Sequence, residues 1–333
     1  MAVDLATRVM RAEPAAAVAA ARALAEGRLV AFPTETVYGL GADAGNARAV
    51  ARLFAAKGRP KFNPLISHVA DLATARRLAR FDAAAKRIAA AFWPGPLTLV
   101  LPKRSDCPVS ELATAGLDTI AVRVPDHPVA RDILAAFAGP VVAPSANRSG
   151  HVSPTTAAHV LADLGGRVDL LIDGGPTQVG IESTIVACLD QTALLLRPGG
   201  LPRSRIEAVL GFALADPPQT DAADAPVAPG MLGSHYAPNT QLRLDARSVE
   251  PGEALLAFGP ALDSGAEHAA AVLNLSPAGD LVEAAANLFS HLRALDCAGV
   301  ARIAVMPIPH ADIGEAINDR LVRAAAPRNQ RLD

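Results

Sequence analysis

Cysteine is scarce in this chain. Cys107, Cys188 and Cys297 lie far apart, no C-x-x-C pair occurs, and no histidine stands at metal-ligand spacing from them. That excludes a disulfide framework and a thiolate metal site, and it leads to the expectation of reduced thiols in a cytoplasmic protein. No apolar run reaches 18 residues, and the N-terminus has no basic region followed by an apolar core, so neither a membrane span nor a secretion signal is expected. Lysine is nearly missing, with four residues against 27 arginines. The net charge of −2 removes the whole-chain argument for a nucleic-acid binder and leaves room only for a local basic patch. Aromatic residues make up 4% of a chain that is 51% apolar, so the packing units are small and rich in alanine. No G-x-x-x-x-G-K-[ST] loop is present, so a nucleotide here is not held by a Walker A loop. Gly39, Gly41 and Ala44 fit G-x-G-x-x-A, but polar residues separate them from the preceding strand and no acid follows about 20 residues on to hold a ribose. A dehydrogenase is thereby set aside.

At 333 residues the chain exceeds one comfortable core and predicts two domains. Apolar runs and alanine-rich helical patterns alternate over the first 200 residues. Strands are expected at 29–32, 65–69, 97–101, 119–124, 141–143, 170–172, 184–189 and 194–196. Helices are expected at 14–25, 47–56, 128–137 and 154–164, with one or two over 71–92. Strands interleaved with helices imply an α/β sheet, and the closely spaced late strands make part of it antiparallel. Residues 216–226 are polar, rich in proline and free of aromatics, which reads as a linker. Strand-like 255–258, 271–275 and 302–306 flank a helix at 281–294, giving a smaller second α/β unit. The expected division is 1–211, a connecting segment 212–238, and 239–333.

The chemistry gathers at strand ends. Leu29 to Phe32 is apolar, then Pro33 opens into Thr34-Glu35-Thr36-Val37-Tyr38, which a buried strand tolerates only with partners. Asn46 caps a helical run that delivers Lys57 and Arg59, with Lys61 beyond; Pro60 and Pro64 stop it from continuing as helix. Three cations on an extended segment can wrap a polyphosphate, or they form an ordinary solvated loop. Pro144-Ser145-Ala146-Asn147 follows an apolar run with small residues that let backbone N–H groups approach a phosphate, or it is a serine-capped turn. Asp173-Gly174-Gly175 and Gly180-Ile181-Glu182-Ser183-Thr184 repeat the pattern. Arg123 and Arg197 end apolar runs, where a guanidinium must meet an anion, a structural carboxylate or water. Together these signals point to one crevice for an oxyanion. No persuasive Ser/His/Asp or Cys/His nucleophile accompanies them.

Six blocks in order carry a resemblance. Pro33 to Leu40, Lys57-Gly58-Arg59-Pro60, Asn63-Pro64-Leu65, Trp93-Pro94-Gly95-Pro96-Leu97-Thr98, Pro144 to Asn147 and Glu182-Ser183-Thr184 resemble the YrdC-type threonylcarbamoyl-AMP synthases over about residues 15–210. Pro229-Gly230-Met231 and His235-Tyr236-Ala237-Pro238 resemble the signature of that family's long, two-domain form. The resemblance implies a twisted mixed sheet with flanking helices, plus a smaller Rossmann-like domain. It implies condensation of L-threonine, bicarbonate or CO2, and ATP to threonylcarbamoyl-AMP and pyrophosphate. Partner transferase machinery would then modify the adenosine 3′ of the anticodon in tRNAs that read codons beginning with A. By resemblance, Thr36, His68, Arg123, Ala143 and Ser183 bind threonine. Lys57, Arg59, Asn63, Thr119, Ser145, Asn147, Ser153, Arg197 and Tyr236 surround ATP, with Lys57 and Arg59 stabilising charge and 229–238 folding back as a lid. Mg2+ is expected to arrive with ATP. Glu35 and Glu182 are the acids that could hold it or orient the amine, and neither is assigned as a base.

Two rivals stand beside this reading. A non-catalytic RNA-binding module would use the same basic face, although only Phe62 and Tyr38 lie near the cations as stacking platforms. A hydrolase or carbamoyltransferase resembling a larger carbamoylating relative would need acylphosphatase-like and zinc-bearing segments, for which the chain is too short and too poor in cysteine.

Overall fold

The computed structural model of the chain describes residues 6–60, 62–189, 192–217, 236–262 and 264–326. In chain order the first unit runs β1 (Arg8–Arg11), α1 (Pro14–Ala25), β2 (Val30–Pro33), β3 (Tyr38–Asp43), α2 (Ala47–Lys57), β4 (Ile66–His68), α3 (Leu72–Leu78), α4 (Ala83–Phe92), β5 (Leu97–Pro102), α5 (Glu111–Thr114), β6 (Thr119–Arg123), α6 (Pro128–Phe137), β7 (Val141–Val142), α7 (Ala157–Leu164), β8 (Leu170–Asp173), β9 (Thr184–Leu189), β10 (Thr192–Arg197) and α8 (Arg203–Leu210). The second has β11 (Gln241–Arg243), β12 (Glu253–Ala257), β13 (Val272–Asn274), α9 (Leu281–Asp296), β14 (Arg302–Val305) and α10 (Gly314–Ala325).

The first ten strands form one mixed sheet in the order β1-β8-β2-β3-β7-β4-β6-β5-β9-β10. The late strands β9 and β10 are antiparallel, as their spacing requires. Alternation divides the strands between two faces. Ala31, Leu40, Val122, Val142 and Val186 enter the large core beneath α2 to α5, α7 and α8, while Val30, Phe32, Val141 and Ile172 pack under α1 and α6. The second sheet is parallel throughout, in the order β11-β14-β12-β13.

Local chemistry sets the helix ends. Asn46 Oδ1 accepts the N–H groups of Arg48 and Ala49, and α2 stops at Gly58 with φ 60°. Residues 71–92 divide into two helices because Asp71 and Asp82 each start one by accepting a backbone N–H. The polar stretch Thr34 to Val37, which follows the apolar run 29–32, is buried. It is the tip of a β2–β3 hairpin, with Pro33 opposite Tyr38. Gly39 and Gly41 sit inside β3, where a Cβ on Gly41 would stand 2.7 Å from the Phe32 ring. The second glycine therefore serves sheet packing, in line with setting the dinucleotide fingerprint aside.

The two units share a core. Val37, Val152, Ile181 and Tyr236 join Leu288, Phe289, Leu292 and Ile317 of the second unit in one apolar cluster. Gly180, at φ 77°, lies so close to α9 that a Cβ there would stand 2.4 Å from the Ala285 carbonyl oxygen. Arg293 reaches Asp163 at 2.8 Å and Arg203 reaches Glu315 at 3.0 Å across the same boundary. No described helix is long and apolar enough to cross a membrane.

Candidate functional site

Sheet register builds one wall of the site. His68 on β4 pairs with Arg123 on β6 and with Val141 on β7, and Arg123 pairs on its other side with Thr98 on β5. Residues in direct register share a face, so His68, Arg123 and Thr98 stand in one row. Thr98 Oγ1 lies 2.8 Å from Ser183 Oγ, which brings in the segment before β9. The hairpin tip reaches over this row, and Arg123 Nη2 donates to Thr36 Oγ1 at 3.0 Å. The result is a cavity of ≈ 50 Å³ whose lining includes Thr36, His68, Arg123, Ala143 and Ser183, together with Arg59, Ser145, Glu182, Arg197 and Tyr236. A larger surface groove of ≈ 690 Å³ beside α1 contains none of these residues.

Three buried guanidiniums line this cavity against one carboxylate. Arg123 is 4% exposed and its Nε has no hydrogen-bond partner. Its Nη2 stands 2.7 Å from Glu35 Oε1, an ion pair, although neither Glu35 oxygen has a partner with hydrogen-bond geometry. Charge attraction at that separation makes Glu35 the internal counter-ion of Arg123. Arg59 donates from Nη2 to the Pro64 carbonyl at 3.0 Å. Burial is the main cause that draws its guanidinium down to about 10, and the charge of Arg197 adds to it. Arg197 donates from Nη2 to the Ser183 carbonyl at 2.8 Å, fixing the backbone next to the Ser183 hydroxyl.

Burial, and then the neighbouring Arg123 charge, push His68 down to about 3. Its Nδ1 lies 3.3 Å from the Ile66 carbonyl, which can only accept, so Nδ1 carries the proton and Nε2 is left as an acceptor. Glu182 is held as a carboxylate. Burial alone would raise it, but Arg320 and Arg197 outweigh burial and, with the Ser153 hydroxyl, bring it below its ordinary value. Its two oxygens accept from Ser153 Oγ at 2.5 Å and from Arg320 Nε at 2.8 Å.

Other expected residues stand behind the lining or away from it. Lys57 is buried, and Nζ donates to the Ser145 and Asn147 carbonyls, both at 2.5 Å, so it holds the 145–147 loop from behind. Burial, then the Arg59 charge, lower its pKa well below the ordinary value. Asn147 donates Nδ2 to the Arg148 and His151 carbonyls and leaves Oδ1 without a partner; Asn63 Oδ1 is likewise buried and unpartnered. Thr119 begins β6 at the end remote from Arg123, about 13 Å away at ~3.3 Å per residue. Asp173-Gly174-Gly175, expected in the same crevice, is not part of the lining. Tyr38 Oη donates to the Gly175 carbonyl at 2.7 Å and ties that turn to β3 instead. Lys61 and residues 229–235 of the expected lid lie outside the described residues, while Tyr236 lines the cavity.

Two positions carry the site without having been singled out in the sequence. Thr98 was only part of a motif, although its place one residue into an apolar strand marked a polar group facing a core. Arg320 was missed with its helix, despite the helical spacing of Ile313, Ile317 and Leu321.

Comparison with known proteins gives two family matches. Residues 22–199 match the Sua5/YciO/YrdC family, described as "Telomere recombination", and residues 201–326 match "Threonylcarbamoyl-AMP synthase, C-terminal domain". The threonylcarbamoyl-AMP synthase of Bacillus subtilis is 41% identical, over 98% of this chain and 97% of that protein. The enzyme of the same name from Pyrococcus abyssi is 42% identical, over 93% of this chain and 94% of its own length. Among solved structures, P. abyssi Sua5 complexed with L-threonine superposes with a TM-score of 0.87 at 38% identity, covering 96% of this chain and 97% of that one.

Proposed function

This chain belongs to the threonylcarbamoyl-AMP synthase family of Sua5/YrdC type in its two-domain form, and from that premise we propose that it is an L-threonylcarbamoyladenylate synthase and hence a nucleotidyltransferase. The substrates are L-threonine, bicarbonate or CO2, and ATP with its Mg2+. The products are threonylcarbamoyl-AMP and pyrophosphate. The observation that carries this reading is the Arg123 guanidinium, buried beside Thr36, His68 and Ser183 with Nε unpartnered, in a cavity that also presents Arg59 and Arg197.

Arg123 receives the carboxylate of threonine through a charge-assisted hydrogen bond from the guanidinium nitrogens that Thr36 and Glu35 leave free. Thr36, Ser183 and the backbone at Ala143 orient the rest of the amino acid. His68 is neutral, and its Nε2 accepts from the substrate's hydroxyl or amine without adding a charge that would repel an ammonium group. The neutral amine attacks the carbon of CO2 and gives up a proton to solvent, or attacks bicarbonate with loss of water, forming the carbamate in either case. A carbamate oxygen attacks the α-phosphorus, and pyrophosphate leaves with the pair of electrons of the broken P–O bond. Such a displacement asks for positioning and charge stabilisation and needs no covalent protein intermediate.

Arg59 and Arg197 face the phosphates. Ser145 and Tyr236 complete the nucleotide side, Lys57, Asn147 and Ser153 support it from behind, and Asn63 and Thr119 extend it beyond the lining. Among the described residues no three His, Cys, Asp or Glu side chains converge as a metal site, and both oxygens of Glu182 are engaged. Mg2+ would enter as the ATP complex and would offset the triphosphate charge. The product passes to tRNA threonylcarbamoyl transferase machinery, which modifies the adenosine 3′ of the anticodon in tRNAs that read codons beginning with A. The protein works in the cytoplasm.

Supplying purified protein with ATP, bicarbonate and each amino acid in turn, while following pyrophosphate, tests the assignment. Release stimulated by threonine above all others supports it. No preference for threonine, together with strongly salt-dependent RNA affinity, would instead favour an RNA-binding module. Of the two aromatic platforms available to that rival, Tyr38 is fully buried and cannot stack on a base.

A further inference from the structure

The second domain buries the guanidinium of Arg320 against the first. Arg320, on α10, is 0% exposed. Its Nε donates to Glu182 Oε2 at 2.8 Å, its Nη2 to the Pro198 carbonyl at 2.9 Å, and its Nη1 to Asp319 Oδ2 at 2.5 Å. Its guanidinium carbon also lies 5.0 Å from the centre of the Tyr236 ring, a cation–π contact. Phe289 of α9 stacks on that same ring at 5.7 Å.

α10 does not need this charge to dock, because Ile313, Ile317, Leu321 and Ala324 already form its buried stripe. A buried ion pair is a poor source of net stability compared with an apolar side chain of similar volume, but it fixes geometry. What Arg320 fixes is informative. Glu182 holds the Ser153 hydroxyl, Pro198 follows Arg197, and Tyr236 lines the cavity. All three contacts lead to residues on the nucleotide side. Of the threonine side only Ser183 adjoins them, next to Glu182 and held by Arg197; Thr36, His68, Arg123 and Ala143 rest on the hairpin, on β4 and β6 and at the end of β7.

We propose that Arg320 is a positioning residue through which the C-terminal domain sets the nucleotide half of the site, acting through Glu182, Tyr236 and the Arg197–Pro198 backbone. The inference rests on the ATP assignment above and goes beyond it. The C-terminal domain becomes part of the ATP site's geometry through Arg320, which makes no hydrogen bond to a threonine-side residue.

The test compares wild type with Arg320→Met, Arg320→Lys and Arg243→Ala. The last breaks an ion pair with Glu253 inside the second domain, away from the cavity, and serves as a control for lost domain stability. ATP and threonine dissociation constants are measured by calorimetry, and both KM values by pyrophosphate release. Arg320→Met is expected to weaken ATP by at least about tenfold, the scale of one charge-assisted hydrogen bond, and to leave threonine within about twofold. Arg320→Lys, which keeps the charge but not the fork, falls between the two and carries the test if the methionine variant does not fold. Unchanged ATP affinity in both Arg320 variants, equal weakening of the two substrates, or the same ATP loss in Arg243→Ala would overturn the proposal. A wild-type protein that binds threonine but not ATP would instead overturn the functional assignment, so the two failures are distinguishable.

Discussion

Replacing Arg123 by lysine leaves a positive charge beside Glu35 and removes the fork. In the wild type, Nη2 is engaged by Thr36 Oγ1 at 3.0 Å and by the Glu35 carboxylate at 2.7 Å, so Nε and Nη1 are the donors left for a substrate carboxylate. A lysine ammonium is a single point on a flexible stem and cannot keep the Glu35 pair and also present a second donor in the same geometry. The loss amounts to one charge-assisted hydrogen bond, about 1.5–3 kcal/mol, or roughly 10- to 150-fold in affinity. The assay is the initial rate of pyrophosphate release against threonine concentration at saturating ATP, and then the reverse titration. KM for threonine should rise within that range while KM for ATP stays put, and the melting temperature should show a protein that is still folded. If KM for threonine does not move, or if both KM values rise together, Arg123 is not the carboxylate anchor and the division of the cavity is wrong.

Acid should destabilise the protein through His68. Its pKa of about 3 in the folded chain lies below the unfolded value of 6.5, so the unfolded chain binds the extra proton between the two. The stabilisation is complete above pH 6.5 and is lost as pH falls towards 3, with about 2 kcal/mol gone by pH 5. Urea titrations at pH 7 and pH 5 should therefore differ more for wild type than for His68→Gln; equal differences would show that His68 is not buried neutral. His159, lowered to about 4 by burial and the Arg293 charge, adds in the same direction. Gly180→Ala should loosen the domain boundary, because the new Cβ meets the backbone of Ala285 and Ala286 at 2.4–2.6 Å and the residue sits at φ 77°. The expected cost is about 1–3 kcal/mol in a urea titration, with ATP affinity falling as Phe289 and Arg320 shift away from Tyr236. A variant as stable as wild type with unaltered ATP binding would contradict the shared core.

Strands that are buried on both faces were readable as apolar runs, and β2, β5, β6, β8, β9 and β10 follow them closely. β3 was not readable. Tyr38-Gly39-Leu40-Gly41 looks like a loop, and only the crossing Phe32 ring explains why glycine belongs in a strand at Gly41. β1, with arginine at both ends, gains its identity from pairing with β8, a long-range event that leaves no local trace. α10 did leave a trace in its apolar spacing, but Arg320 did not. A charge beside such a stripe reads as solvent-facing until another domain covers it. The expectation of an anion at the strand ends came from residue chemistry alone. Their division between amino acid and nucleotide came from the family resemblance, and the structure adds that Thr36, His68, Arg123 and Ser183 meet in one row of hydrogen bonds and register pairs. Glu35, which had no readable role, turns out to face Arg123. A carboxylate in a polar turn gives no sign of which distant arginine it will meet.

The most direct test of the account is the fate of the carbon. Threonine, ATP and 13C-labelled bicarbonate are incubated with the protein, and the adenylate is identified by mass spectrometry as pyrophosphate appears. The account predicts threonylcarbamoyl-AMP carrying one labelled carbon, formed in step with pyrophosphate. An unlabelled threonyl-adenylate, in which the substrate's own carboxylate has attacked the phosphorus, would contradict it, because Arg123 would then have failed to hold that carboxylate away from the nucleotide.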